Sequence, residues 1–231
     1  MVKIDKRKKY LIVVDVETAG SLARPLCYDI GFAITDKKGN IVEKRSYVVS
    51  EIFDNVKLMT TAYYASKIPM YVDGLASGKF IKKPFEEIRN EMLYLMDLYN
   101  VTALCAYNLN FDMKALSSTN MLLRRTKKFM HRPVELLCLW SFACEVIYTQ
   151  KNFYKVAIRE GWVSDAGNLR TSAEMGHRYI SGQYDFIEEH TGLADVEIEV
   201  GIMAKCFSQH KKHDSGILSH PWRIPKKHHG L

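Results

Sequence analysis

The chain has 231 residues, 47% of them hydrophobic, with 33 Lys and Arg against 26 Asp and Glu and a net charge of +7. That composition excludes an intrinsically disordered chain and supplies a core for one domain of ordinary to large size. No apolar run approaches the ~20 residues of a membrane-spanning helix, and Leu11–Val14 is too short for a signal-peptide core, so a cytoplasmic protein with no membrane partner is expected.

The elements follow in chain order. Tyr10–Val16 is a short, continuous apolar strand of the kind buried on both faces. Ile30, Phe32 and Ile34 alternate, a turn falls at Lys38-Gly39-Asn40, and Ile41–Val49 supplies the partner, so 27–49 reads as an antiparallel hairpin. Residues 51–83 read as short helices and loops. Pro84 opens a helix carried by Phe85, Ile88, Met92, Leu95, Met96 and Tyr99. A strand over Val101–Tyr107, a helix over Phe111–Leu123, a fifth strand over Val134–Leu139 and a helix near Trp140–Tyr148 come next. Thr171 and Glu174 form a capping-box pattern opening a helix to about Ile180. Asp195, Val196, Val200, Met203 and Phe207 then describe a helix with one apolar face. The predicted fold is a mixed α/β sheet of about five strands, the first three antiparallel, flanked by helices. The domain covers residues 1–209, and 210–231 reads as a basic, His-rich tail.

Charge and cysteines refine this outline. Residues 1–9 carry +4 and residues 205–231 carry +5, leaving −2 for the body between them. Basic ends suit a polyanion, nucleic acid above all, and serve equally as solubilising tails. Cys27, Cys105, Cys138, Cys144 and Cys206 are odd in number and form no C-x-x-C pair, so free buried thiols in a reducing compartment are expected.

Three groups of residues carry chemistry. Asp15 and Glu17 sit at i and i+2, on one face of an otherwise buried strand, where like charges repel unless a cation lies between them. The other reading ends the strand at Val14 and leaves both acids solvated. Asn108-Leu109-Asn110-Phe111-Asp112 joins a strand to a helix, with Asn108 or Asn110 able to cap it and Asp112 in its first turn. That placement suits a helix start, and strand ends are also where α/β sheets build their sites. His190-Thr191-Gly192-Leu193-Ala194-Asp195 places His190 on a loop, Gly192 as a break and Asp195 at a helix start.

Taken in order, D-x-E, N-x-x-F-D and H-x4-D resemble the three motifs of the DEDDh exonuclease family, over about residues 10–207. That family has a ribonuclease H-like fold and includes polymerase proofreading subunits and oligoribonucleases. Asp15-Val16-Glu17-Thr18-Ala19-Gly20 resembles its strand-end D-x-E-T-x-G. Tyr107 departs from the His that commonly precedes the Asn, and Thr191-Gly192 replaces an alanine-containing step. The resemblance implies a 3′–5′ exonuclease acting on DNA or RNA 3′ ends, single strands preferred, and releasing nucleoside 5′-monophosphates. It implies two Mg²⁺ or Mn²⁺ ions as cofactors, held by Asp15, Glu17, Asp112 and Asp195, since carboxylate-only sites select hard cations. Asp15 would bridge the ions, Glu17 and Asp195 would complete the site of the nucleophilic water, and Asp112 would serve the second ion. His190 would be the general base. Thr18 and Leu22 would meet the terminal nucleotide, and Asn108 would orient Asp112 or the substrate.

Other features have plainer readings. Arg124, Arg125, Lys127, Lys128 and Arg132 suit either a helix C-terminus or a phosphate-tracking patch. Glu199, one turn on from Asp195, could support the metal shell, but Glu197 and Glu199 read better as a solvated helix face, and Tyr63, Tyr64 and Tyr71 as core. Cys206 with His210, His213, His220, His228 and His229 fits no familiar zinc spacing. A non-catalytic nucleic-acid-binding or polymerase-accessory domain on the same fold is the second functional reading, and a zinc hydrolase built on the tail histidines the third. A polymerase or another replication or repair protein is the protein partner expected. DNA against RNA, and the oligomeric state, are left open by the sequence.

Overall fold

The computed structural model describes residues 9–211 and 216–231, so the basic residues 1–8 and His213 of the tail lie outside the described residues. Three strands in sequence, β1 (Tyr10–Ser21), β2 (Arg24–Asp36) and β3 (Ile41–Val49), form an antiparallel meander. Short helices α1 (Ser50–Phe53) and α2 (Val56–Met59) lead through a 3₁₀ turn at Ala65–Lys67 into α3 (Ile68–Ala76). Next come β4 (Lys82–Lys83), α4 (Phe85–Leu98), β5 (Ala103–Ala106) and α5 (Leu109–Arg124). The chain continues with β6 (Glu135–Cys138), α6 (Leu139–Val146), α7 (Lys151–Arg159), α8 (Ala173–Ser181), α9 (Gly192–Ser208) and α10 (Arg223–His229). The sheet order is β4-β3-β2-β1-β5-β6, with β5 parallel to both β1 and β6.

The continuous apolar run of β1 is explained by burial on both faces. Tyr10, Ile12, Val14 and Val16 join the core on the α4–α5 side, while Leu11 and Val13 join the core under α6, α7 and α9. Asp15 and Glu17 continue the second set, so they project toward α9. The five predicted strands are present, and the sixth is the two-residue edge strand β4, too short to give a pattern in sequence.

Several boundaries differ from expectation for identifiable reasons. β1 runs on to Ser21 because it turns directly into β2, with Ser21 paired to Arg24 and a register shift between Glu17 and Thr18. α8 is capped by Ser172, whose hydroxyl accepts the Met175 N–H at 3.4 Å, whereas the Thr171 hydroxyl accepts from Trp140 Nε1 at 2.9 Å. Gly192 does not break α9 but begins it. The tail is not featureless either: α10 buries Pro225, and His229 stacks on Tyr154 at 4.6 Å with its Nε2 2.8 Å from the Tyr148 carbonyl. All five cysteines are free and buried. No described helix is long and apolar enough to cross a membrane.

One contact sets where α9 lies. A Cβ on Gly31 of β2 would meet the Gly192 carbonyl carbon at 2.1 Å, and one on Gly192 would meet the Gly31 nitrogen at 2.5 Å. The first turn of α9 therefore rests backbone to backbone on the sheet, an approach that only paired glycines permit. Gly31→Ala is expected to destabilise the fold by about 3 kcal/mol, because the obstructing atoms are backbone. Denaturant unfolding checks this, and a loss below about 0.5 kcal/mol would count against the contact as described.

Candidate active site

The sheet and three chain segments bring the sequence-predicted acids to one place. Asp15 and Glu17 come from β1, and Asp112 from the first turn of α5, buried and accepting hydrogen bonds from its own N–H and that of Val16. Asp195 comes from the first turn of α9, where the His190 N–H reaches its carboxylate. Glu17, His190 and Asp195 each offer a ligand atom within 4.8 Å of the others. His190 Nδ1 lies 3.8 Å from Asp195 Oδ2 and 3.6 Å from Glu188 Oε2.

The electrostatics follow from burying so many like charges together. Burial first, and then the neighbouring charges of Glu199, Asp112, Asp195 and Glu17, hold Asp15 well above the usual carboxylate range. Burial, with Asp195 and Asp29 behind it, pushes Glu17 up to about 9. Burial and the charge of Glu188 raise Asp195 to about 8, against the pull of Lys67. Asp112 rises to about 7 by burial, held back by its two backbone hydrogen bonds. His190 moves the other way: burial and the Lys67 ammonium lower it, so its neutral form prevails at neutral pH.

His190 is set by its neighbours. Its φ of 50° is left-handed, a conformation that costs a non-glycine residue about 1–3 kcal/mol and persists where the surroundings enforce it. The Tyr64 ring stacks on the imidazole, with centroids 4.5 Å apart and planes 16° from parallel. Lys67 Nζ donates to the Glu189 carbonyl and lies 3.5 Å from the His190 carbonyl. Beyond the loop, buried Asp29 accepts the Gly192 N–H at 2.9 Å and the Tyr71 hydroxyl at 2.6 Å on the same oxygen. Thus Tyr64 and Lys67 hold the His190 loop directly, and Asp29 of β2, itself bonded by Tyr71 of α3, anchors the start of α9 just after it.

The expected substrate residues are placed more loosely. Thr18 and Leu22 line a small cavity of about 100 Å³ with Gly20, Ser21, Pro25, Thr61 and Tyr63. Leu22 is 77% exposed and Tyr63 81% exposed, so Tyr63 is not core, while Tyr71 is fully buried as expected. Tyr64, half-buried against His190, is not core either. Asn108 makes no side-chain cap and is exposed; its backbone carbonyl accepts the N–H groups of Phe111 and Asp112, so its effect on Asp112 passes through the helix start.

Glu199 is the main correction: it is 2% exposed, not solvated, whereas Glu197 is exposed and pairs with Lys44 at 2.6 Å. Asp29, Glu188 and Lys67 lay outside the sequence reading, and Tyr64 was read only as core. A signal existed for Glu199, which is one helical turn from Asp195, and for Asp29, which interrupts an apolar strand. The basic cluster after α5 divides. Arg132 is engaged by Asp97 at 2.9 Å and by the Met96 and Val101 carbonyls, and Arg124 approaches Glu86 at 3.4 Å. Arg125, Lys127 and Lys128 are exposed. Cys206 is buried on α9, and the close groups of ligand atoms among the described residues lie around His190, away from the tail histidines.

The donors around Asp15 fit a hard divalent cation. Apart from one imidazole they are carboxylate oxygens, and Asp195 Oδ1 and Glu199 Oε2 are buried without a hydrogen-bond partner.

No family model and no curated protein matches this sequence. Solved structures match its fold. Escherichia coli exonuclease I in complex with a 5cy-dT13 oligonucleotide superposes at a TM-score of 0.56 and 16% identity, over 88% of this chain and 41% of that one. A moderately thermophilic exonuclease I from Methylocaldum szegediense gives 0.55 and 15%, over 88% and 41%. A product-bound exonuclease I gives 0.52 and 15%, over 87% and 43%. The chain thus spans about two fifths of the length of these proteins, and none of them points to a polymerase partner. What the likeness establishes is the architecture: this chain has the ribonuclease H-like fold, with a six-stranded sheet in place of the five strands expected.

Proposed function

We propose that this chain is a metal-dependent 3′–5′ exonuclease that hydrolyses phosphodiester bonds at the 3′ ends of DNA or RNA, prefers single strands and releases nucleoside 5′-monophosphates. The observation that carries the proposal is the convergence of Asp15, Glu17, Asp112, Asp195 and His190 at one end of the sheet, from three separate stretches of chain. The likeness to exonuclease I, solved with a dT13 oligonucleotide, supports it.

Asp15, between the other acids, would hold both of two Mg²⁺ or Mn²⁺ ions, Glu17 and Asp195 the first, and Asp112 the second. When bound, such ions polarise the phosphate and stabilise the attacking and leaving oxygens. His190 does the protein's own proton work. Its Nδ1 edge faces Glu188 and Asp195, so Nδ1 is the atom placed to take a proton from a water beside Asp195. Its lowered pKa keeps it unprotonated and ready at neutral pH. Tyr64 fixes the ring plane, and Lys67 fixes the backbone that carries it. Exposed Leu22 and Tyr63 flank the small cavity beside Thr18 and present apolar faces for a terminal base.

Incubating a 5′-labelled single strand with the protein and Mg²⁺ is expected to produce a ladder shortening from the 3′ end. Asp15→Asn, which relieves repulsion and so spares the fold, is expected to lower the rate by at least about 10³-fold. Binding without laddering would instead make this a non-catalytic nucleic-acid-binding domain. Matched DNA and RNA strands then assign the substrate.

Lys67→Met removes the clasp on the His190 loop and the charge that lowers the imidazole. The turnover number is expected to fall about tenfold, with KM little changed. The low-pH limb of the profile is expected to move to higher pH, because His190 then protonates more readily. A rate drop with an unmoved limb would mean that Lys67 serves the fold alone.

Metal-free protein offers a separate check. The acids have folded pKa values above their unfolded ones, about 9 for Glu17, 8 for Asp195 and 7 for Asp112. Their contribution to stability is therefore complete below about pH 4 and is lost as pH rises through the folded values. The melting temperature in chelator is expected to fall as pH rises from about 4 to 9, and Mg²⁺ or Mn²⁺ to remove most of that slope near neutral pH. Identical slopes with and without the ion would contradict the metal assignment.

A further inference from the structure

Resting on that reading, we propose that Glu199 is a fifth carboxylate of the metal centre, whose charge strengthens the hold of Asp15 and Asp112 on a divalent cation. Glu199 stands one turn beyond Asp195 on α9, so the two side chains share the helix face that meets β1. Its side chain is almost completely buried, at 2% exposure. One carboxylate oxygen accepts the Tyr107 N–H at the end of β5. The other, Oε2, is buried without any hydrogen-bond partner. A fold that needed only an acceptor for Tyr107 would be served by an amide, and a buried unpaired carboxylate oxygen is costly to keep.

The groups facing that oxygen are acids. Among the charges around Asp15, Glu199 has the largest effect, ahead of Asp112, Asp195 and Glu17. Among the charges around Glu199, Asp112 and Asp195 lead. Glu199 thus stands on the α9 side of Asp15 and Asp112, with its leading neighbours all acids, where a cation would compensate it. Lys67 acts on Glu17, Asp195 and His190, whereas the leading charges around Glu199 are all acids.

The test is calorimetric titration of Mn²⁺ into the metal-stripped full chain, with melting temperatures measured with and without Mn²⁺. Glu199→Gln keeps an acceptor for Tyr107 and nearly the same volume while removing the charge. It is expected to weaken Mn²⁺ binding about tenfold or more and to shrink the Mn²⁺-dependent gain in melting temperature. Glu199→Ala makes the same measurement if the amide variant does not fold. Folded E199Q with wild-type Mn²⁺ affinity overturns the inference and leaves Glu199 as the acceptor for Tyr107 alone. Glu17→Gln is the control on the underlying reading. Wild-type protein that binds no Mn²⁺, or E17Q that binds it unchanged, overturns the metal centre itself, an outcome distinct from a failure of E199Q alone.

Discussion

The approach of Gly31 to Gly192 governs the geometry of this molecule. Helices on a sheet ordinarily stand off by the thickness of their side chains, yet the first turn of α9 touches β2 through backbone atoms. That closeness lowers Asp195 onto Asp15 and Glu17 and, one turn later, carries Glu199 to the same strand. It also exposes the Gly192 N–H to the Asp29 carboxylate, which anchors the helix start to β2 a second time. The replacement of an alanine-containing step by Thr191-Gly192 thus acquires a reason. In this chain a methyl group at residue 192 would lift α9 off the sheet and open the site.

The second constraint is the accumulation of negative charge that this closeness creates. Asp15, Glu17, Asp112, Asp195 and Glu199 are crowded at one end of the sheet, and all are pushed toward protonation, by burial before anything else. A fold of marginal stability tolerates such a cluster when something is gained by it. The single ammonium of Lys67 counters a small part, and it is occupied with backbone carbonyls. The neutral imidazole of His190 follows from the same setting. It is surrounded by carboxyls yet lowered, because burial and Lys67 outweigh the acids that face it.

How much of this was legible in the sequence depends on the range of the interaction. The β1 run, the hairpin of β2 and β3, and the periodicity of α4 and α9 were readable because burial on a face imposes a local pattern. The D-x-E, N-x-x-F-D and H-x4-D groups were readable because strand ends and helix starts place acids predictably; the structure draws Glu17, His190 and Asp195 within 4.8 Å of one another and sets Asp15 and Asp112 within electrostatic reach of the group. Glu199 was not legible as buried, since Asp195, Glu197 and Glu199 look alike until the depth of α9 against the sheet is known. Tyr64 and Lys67 were illegible for a different reason. They act on a residue more than 120 positions away, through stacking and a carbonyl bond that leave no spacing in the chain. The departure at Tyr107 also needed the structure, where its hydroxyl fills the core beside Tyr148 at 2.6 Å while its N–H serves Glu199.

These constraints give the net charge a sharper meaning. The body between the basic ends carries −2, and that figure includes the four acids of the sequence motifs and Glu199. A polyanion meeting such a pocket empty would be repelled, whereas two divalent cations would turn the body to about +2. On the proposed reading, exposed Arg125, Lys127 and Lys128 would draw a phosphate backbone toward the body, and bound ions would supply the attraction at the reacting bond. On that reading, the acids that make the isolated site unfavourable would make polyanion binding depend on the ions they hold. By the same reading, the +7 of the chain would attract a nucleic acid at its basic ends, while the five acids crowded at the end of β1 would set when it can react.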